Sequence, residues 1–268
     1  MEEDSFLTNK PMKICGIIPA AGTGSRLGKL PVSKEIYPIM QEAQASVLCE
    51  NLIRYYRLAG IRNIHFVLRK GKWDIPEYLG DGSDYDVNIS YLIASVPFGA
   101  PFTVDQAYSY VQDHYVAMGF PDIINTPADL FVHLKEKIIR SEADLVLGLC
   151  PIRQFNLWDM IDFDSDRIKD ILIKQDCPQL KYGWANAIWG PAFTEFSHQY
   201  LQNRLAHHDE LIILPDGTRR ELCMGDLMLA ALKSGLVVDY VLFENGSSVD
   251  LGTPRNLSKY IAQVANQP

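Results

Sequence analysis

A chain of 268 residues, 47% of them hydrophobic, can bury one large core, and a net charge of −8 without a basic stripe disfavours nucleic acid as a partner. No apolar stretch approaches the roughly 20 residues that a membrane-spanning helix needs. Residues 1–13 are too polar and acidic for a secretory signal, so no membrane association and a cytoplasmic location are expected. The five cysteines form no CxxC pair and fit reduced thiols acting as small apolar fillers.

Residues 1–12, with Glu2, Glu3, Asp4, Asn9 and Lys10, have the composition of a disordered leader, and residues 13–268 are expected to form one domain. The apolar run 14–19 enters Ala20-Ala21-Gly22-Thr23-Gly24, the pattern of a buried strand feeding a glycine loop at a βα turn. Ser46 is placed to cap a helix carrying Val47, Leu48, Leu52, Ile53 and Tyr56, and Gly60 can end it in the left-handed conformation. Strands are expected at 64–68 and 87–93 and, after a helix at 101–111 with Asp105 facing solvent, at 115–118.

Thr126-Pro127 predicts a helix start, with Asp129 in its first turn where an acid favours the dipole. A strand at 144–150 follows, then an irregular stretch, 152–181, that reads as hairpins around Asp164-Ser165-Asp166. Next come a strand at 184–189, helices at 191–205 and 224–233, Gly235 closing the second, and a strand at 237–243. A turn at 244–248 leads to Asp250, and Thr253-Pro254 opens a final helix reaching about Val264. Strands separated by helices imply an α/β fold with a mostly parallel, Rossmann-like sheet covered on both faces, its ligands gathering at the carboxyl ends of the strands.

The glycine loop fails the dinucleotide fingerprint, because the position of the third glycine is Leu27, and it fails the Walker pattern, because no Gly-Lys-Ser or Gly-Lys-Thr closes it. What remains is a loop whose backbone N–H groups can approach phosphate oxygens, with Arg26 and Lys34 as nearby cations. Such fixed positive charge suits phosphoryl chemistry. A structural turn with two surface cations is the alternative reading.

The wording from Ile18-Pro19 through Gly22-Thr23-Gly24-Ser25-Arg26-Leu27, followed by Pro31-Val32-Ser33-Lys34-Glu35 and Pro38, resembles the G-x-G-x-R plus Pro-Lys signature of the nucleotide-sugar pyrophosphorylases. Ser-Lys-Glu-x-x-Pro is especially similar to the glucose-1-phosphate thymidylyl- and uridylyltransferases. The resemblance runs in order over most of residues 13–265. It implies a GT-A-like sheet of the nucleotide-diphospho-sugar transferase type and a Mg2+-dependent transfer of NMP from an NTP, dTTP or UTP, to a sugar 1-phosphate with release of pyrophosphate. It also implies that Ala20, Ala21, Gly22, Thr23, Gly24 and Gly99 contact the nucleotide, and that Arg26 and Lys34 act on its phosphates.

Phosphoryl transfer between two substrates crowds negative oxygens together, so a magnesium ion held by one or two carboxylates is expected. Asp122 follows Gly119-Phe120-Pro121 at a strand end, and Asp250 opens Asp250-Leu251-Gly252-Thr253-Pro254. Each can also be read as a turn acid bonded to backbone N–H groups. The resemblance makes them the metal-binding pair.

Three places depart from the family pattern. Where Glu-Lys-Pro is usual, this chain has Ile173-Lys174-Gln175, so Lys174 can keep the sugar-phosphate role while the glutamate that reads sugar hydroxyls is absent. The base-reading glutamine is absent upstream of Gly99-Ala100-Pro101, which leaves base choice unsupported. The acceptor strand carries Gly183-Trp184-Ala185-Asn186-Ala187, making Trp184 and Asn186 acceptor-binding candidates, although Trp184 and Trp189 at strand period equally read as core. An aromatic face also suits a quaternary ammonium, so a non-sugar acceptor such as phosphocholine or a phosphonate is the first alternative. A non-catalytic nucleotide-sugar-binding regulator is the second. The expected partners are an NTP and a small phosphorylated acceptor, with a homo-oligomer left open.

Overall fold

The computed structural model describes residues 12–41, 44–96, 98–165, 167–214 and 216–265. All of the expected leader except Met12, together with Pro97 and Asp166, lies outside the described residues. The first apolar run forms β1 (Ile14–Ala20), and its alternate side chains enter different cores: Ile18 and Ala20 one, Cys15 and Ile17 the other. A strand covered on both faces reads as apolar throughout.

A hairpin of β2 (Pro38–Gln41) and β3 (Gln44–Val47) follows, and here the structure corrects the sequence reading. Ser46 caps no helix. It pairs with Ile39 in the hairpin, while the N–H groups of Leu48 and Cys49 donate to the carbonyls of Tyr37 and Glu35. Those bonds hold the backbone out of the helical path until α1 (Glu50–Leu58), whose Leu52, Ile53, Tyr55 and Tyr56 are buried. Gly60 then takes φ 72, as expected.

β4 (Asn63–Arg69), α2 (Asp74–Leu79) and β5 (Asn88–Ala94) continue the alternation. The helical spacing at 101–111 splits into α3 (Ala100–Asp105) and α4 (Tyr108–Val111), with tight i to i+3 bonds at Ala107 and Tyr110 between and into them. β6 (Tyr115–Gly119) leads to β7 (Ile123–Thr126), a short strand at the place where a helix start is expected. Thr126 is occupied by pairing with Ser247, so α5 (Leu130–Arg140) begins later and Asp129 precedes it.

Beyond α5 come β8 (Leu145–Pro151), the expected hairpin as β9 (Asp159–Phe163) and β10 (Ile168–Ile173), and β11 (Tyr182–Trp189). After α6 (Pro191–Ala206) a ribbon of β12 (Leu211–Ile213) and β13 (Arg219–Glu221) precedes α7 (Met224–Lys233). β14 (Val238–Leu242), β15 (Ser247–Asp250) and α8 (Pro254–Ala265) complete the described chain. Asp105 does not face solvent: α6 covers it, and His198 Nδ1 lies 3.0 Å from its carboxyl while Tyr108 stacks on the imidazole at 3.7 Å.

Among the described residues, nine strands form the main sheet in the order β10-β9-β11-β6-β1-β4-β5, with β8 along β11 and β14 along β8. The pairs β6/β1, β1/β4, β4/β5 and β8/β14 are parallel; β11 runs against β6, β8 and β9. α1 and α5 cover one face, where Tyr56 and Phe131 meet edge to face, and α6 and α7 cover the other. Carboxyl ends of the parallel strands therefore share one edge. The glycine loop after Ala20, Lys72 after β4, Gly99 after β5 and Asp122 after β6 all lie on it. No helix among the described residues is long and apolar enough to cross a membrane.

Candidate active site

The glycine loop leaves β1 at the fully buried Ala20 and runs out through Ala21, Gly22, Thr23 and Gly24. Gly24 sits at φ 69, a left-handed conformation that side chains disfavour, and nothing lies within 4 Å of where a Cβ would stand at Gly22. The loop presents an open backbone face. It turns into a single 3-10 turn, Ser25–Leu27, closed by Leu27 N donating to Gly24 O at 3.0 Å. The expected βα turn is thus corrected: no α-helix follows the loop before Glu50 among the described residues, so the loop's own N–H groups must do any phosphate binding, without a helix dipole.

Lys34 stands in the next short turn, Lys34–Ile36, and its neighbours are anchored on both sides. Ser33 donates its N–H and its hydroxyl to the two carboxylate oxygens of Asp74, at 2.6 and 2.8 Å. Glu35 is fully buried and accepts Lys72 Nζ on both oxygens, at 2.8 and 2.7 Å. Between these clamps the Lys34 ammonium meets Asp122 Oδ2 at 2.7 Å. Burial works against the charge on Lys34, but Asp122 and Glu35 outweigh it and raise the lysine pKa. Burial would likewise raise Asp122, yet Lys34 and Arg26 hold its pKa below the ordinary carboxylate value.

The second carboxylate arrives by way of the ribbon β7/β15. Asp250 is the register partner of Ile123, and Leu251 N donates to Asp122 O at 2.8 Å, so residues remote in sequence become neighbours. Asp250 Oδ2 accepts Arg26 Nη1 at 2.9 Å, Oδ1 accepts Gly252 N at 2.7 Å, and Asn256 Nδ2 secures the Asp250 carbonyl at 2.8 Å. Gly252 lies among all three charged groups: a methyl there would collide with Asp122 Oδ2, and come within 2.8 Å of Asp250 Oδ1 and 3.0 Å of Arg26 Nη2. Gly252→Ala is accordingly expected to force the two carboxylates apart and to lower kcat/KM about tenfold or more, read by steady-state kinetics beside a melting curve that moves little. An unchanged kcat/KM would contradict this placement.

Asp122 and Asp250 are hard oxygen donors on adjoining loops, the chemistry that suits a small divalent cation completed by substrate phosphates. Among the described residues, no group of three or more His, Cys, Asp or Glu gathers to hold a metal by protein ligands alone.

Lys174 lies just past β10 at φ 48, and its Nζ is 3.2 Å from Cys223 Sγ at the start of α7. Cys223 is therefore no apolar filler. It is half-buried, its N–H donates to Asp226 Oδ2 at 2.8 Å, and Asp226 grips Arg220 through both terminal nitrogens at 2.6 and 2.7 Å. Asp159, which sequence reasoning passed over, is buried at the start of β9 within this group.

Burial raises the Asp159 pKa from 3.8 to about 6, with Lys174 and Arg220 opposing and Asp226 reinforcing the rise. A carboxyl raised in the folded state takes up more protons than the unfolded chain between those values, so its contribution is present below about pH 4 and is lost as pH climbs through about 6. Urea unfolding should show the wild type losing ground to Asp159→Asn across that interval. A difference independent of pH would refute it.

Trp184 and Asn186, the acceptor-binding candidates, lie in different surroundings. The register shifts between them: Trp184 is buried with Ala187 and Trp189 and packs on Phe120 at 6.0 Å, while Asn186 enters a buried network with Asn125 at 3.0 Å, itself bonded by Ser248 at 2.7 Å. The amide of Asn186 is thus hydrogen-bonded within this network. Gly99 takes φ 106 and bridges to Leu222, whose carbonyl a methyl would strike, so close backbone approach explains this glycine.

No family model matches the chain. The glucose-1-phosphate thymidylyltransferase of Neisseria gonorrhoeae is 24% identical over 257 residues, covering 94% of this chain and 83% of that protein. The low-salt glycan biosynthesis nucleotidyltransferase Agl11 of Haloferax volcanii is 25% identical over 247 residues, 90% of this chain. This chain spans 63% of that relative's length. A Bacillus anthracis protein, described as a candidate glucose-1-phosphate thymidylyltransferase and solved with sucrose, superposes with a TM-score of 0.78 at 19% identity, covering 95% of this chain and 96% of its own.

In sequence and in fold this chain is similar to the nucleotide-sugar pyrophosphorylases. The mixed α/β architecture with its mostly parallel central sheet is the pyrophosphorylase-type fold expected from the sequence. The similarity to these two relatives runs over 90% and 94% of this chain, well beyond the glycine loop.

Proposed function

We propose that this chain is a Mg2+-dependent nucleotidyltransferase that moves NMP from an NTP, dTTP or UTP, to a sugar 1-phosphate and releases pyrophosphate. The observation that carries this reading is the convergence of two cation–carboxylate pairs, Lys34–Asp122 and Arg26–Asp250, around Gly252. Each pair can exchange partners when substrates arrive, the cations turning to phosphate oxygens and the carboxylates to a divalent cation. The glucose-1-phosphate thymidylyltransferases among the proteins it resembles support the same substrate class.

In this mechanism the N–H groups of Ala20, Ala21, Gly22, Thr23 and Gly24 line the triphosphate, and Gly99 lies toward the nucleoside. Lys34, immobilised by its anchored neighbours, neutralises charge at the α-phosphate, and the more exposed Arg26 closes on the departing pyrophosphate. Lys174 holds the acceptor phosphate, one oxygen of which attacks the α-phosphorus in line as the bond to pyrophosphate breaks. No side chain serves as a nucleophile. A magnesium ion held by Asp122 and Asp250 would supply further charge neutralisation on the phosphate oxygens.

The test is pyrophosphate release across a matrix of NTPs and sugar 1-phosphates plus phosphocholine, with magnesium and again with EDTA. Release with one magnesium-dependent pair, and a product of the mass of the nucleotide sugar, is expected. Nucleotide-sugar binding without release from any pair would replace the transferase by a regulator.

A further inference from the structure

Two polar atoms on neighbouring strands are buried and make no hydrogen bond: Asp159 Oδ1 and Trp184 Nε1. Their residues are 8% and 3% exposed. The indole lies near enough to the carboxyl to favour its charged form, yet neither atom completes a bond with the other. An unpaired buried carboxylate oxygen and an unpaired buried N–H are each costly, which makes them ready for a ligand that satisfies both.

Their position is informative. Asp159 is the cross-strand partner of Ile173, and directly opposed residues of an antiparallel pair project from the same face. Ile173 occupies the place where the family pattern has its sugar-reading glutamate, and Lys174 follows it. The carboxylate missing from β10 thus returns one strand over, on β9. Phe120, against which Trp184 packs, stands two residues before Asp122, which links this group to the carboxylate pair. At Gly225 a Cβ would collide with the Asp159 carboxyl, so a glycine there leaves that carboxyl its room.

Resting on the proposed transferase activity, we infer that Asp159 and Trp184 are specificity-determining residues for the acceptor, Asp159 accepting a hydrogen bond from a sugar hydroxyl and the Trp184 indole donating one to a sugar oxygen. A quaternary ammonium can meet the carboxylate only through its charge and the indole only through the ring face, and it has no hydrogen to donate to Asp159 Oδ1 and no lone pair to accept from Trp184 Nε1. The chemistry favours a polyhydroxylated acceptor over phosphocholine.

Calorimetric binding of glucose 1-phosphate, galactose 1-phosphate and phosphocholine, with a non-hydrolysable dTTP or UTP analogue present, tests this on Asp159→Asn and on Trp184→Phe, which keeps the ring and removes only the N–H. Both variants are expected to bind the preferred sugar phosphate on the order of 10- to 100-fold more weakly, with affinity for the nucleotide analogue unchanged. Equal acceptor binding by wild type and both variants overturns the inference. So does a wild type that binds neither sugar phosphate, or prefers phosphocholine. Pyrophosphate release that persists with an unmoved acceptor KM in both variants sinks this assignment alone; weakened binding without any release in the wild type sinks the transferase reading and leaves the assignment standing.

Discussion

Lys34→Ala should lower kcat/KM for pyrophosphate release roughly 100- to 1000-fold, the loss expected when one preorganised charge is taken from a phosphoryl-transfer site. The size follows from how the lysine is held. Ser33 is fixed to Asp74 and Glu35 to Lys72, so the ammonium is aimed before substrate arrives and little reorganisation remains at the moment of reaction. Lys29, exposed on the same stretch, is the control, and Lys29→Ala should stay within about threefold of wild type. Steady-state kinetics on both variants, each with a melting curve, separates lost chemistry from lost fold. Similar losses in the two would place the chemistry elsewhere.

The largest effect on stability is expected from Lys72→Met. Glu35 is 0% exposed and Lys72 5%, and the lysine serves both carboxylate oxygens, so removing it strands a buried charge. Breaking such a pair from one side costs about 3–5 kcal/mol, which in a domain of this size lowers Tm by roughly 10 °C. Replacing both partners, as Glu35→Leu with Lys72→Met, removes the stranded charge and should restore much of the loss. The double variant should still turn over slowly, because the clamp behind Lys34 is gone. Calorimetry of the wild type and both variants decides it, and a single variant as stable as wild type would show that the pair holds nothing.

Much of the site was legible because its parts are local. Glycines meeting a buried strand, with Arg26 and Lys34 at short offsets, mark a phosphate loop by spacing alone, and Asp122 and Asp250 each stand in a recognisable turn. What joins them was not legible. The ribbon of β7 and β15 is built from two four-residue strands, too short for a periodic signal, and Thr126-Pro127 resembled a helix start. The same limit hid the hairpin at Ser46, where bonds to Tyr37 and Glu35 override local helix preference. Asp159 escaped because its significance rests on its partner across β9 and β10 and on burial under α7, neither of which a linear pattern carries. The register shift that separates Trp184 from Asn186 on β11 leaves no mark in the sequence.

The most direct test of the central claim follows labelled pyrophosphate into NTP. Direct transfer between two bound substrates requires that exchange occur only when sugar 1-phosphate is also present, since no nucleotidyl group is ever held by the protein. Label is expected in dTTP or UTP with the acceptor added and none without it. Exchange in the absence of acceptor would reveal a covalent nucleotidyl-enzyme, and no exchange with any NTP and acceptor would contradict nucleotidyl transfer altogether.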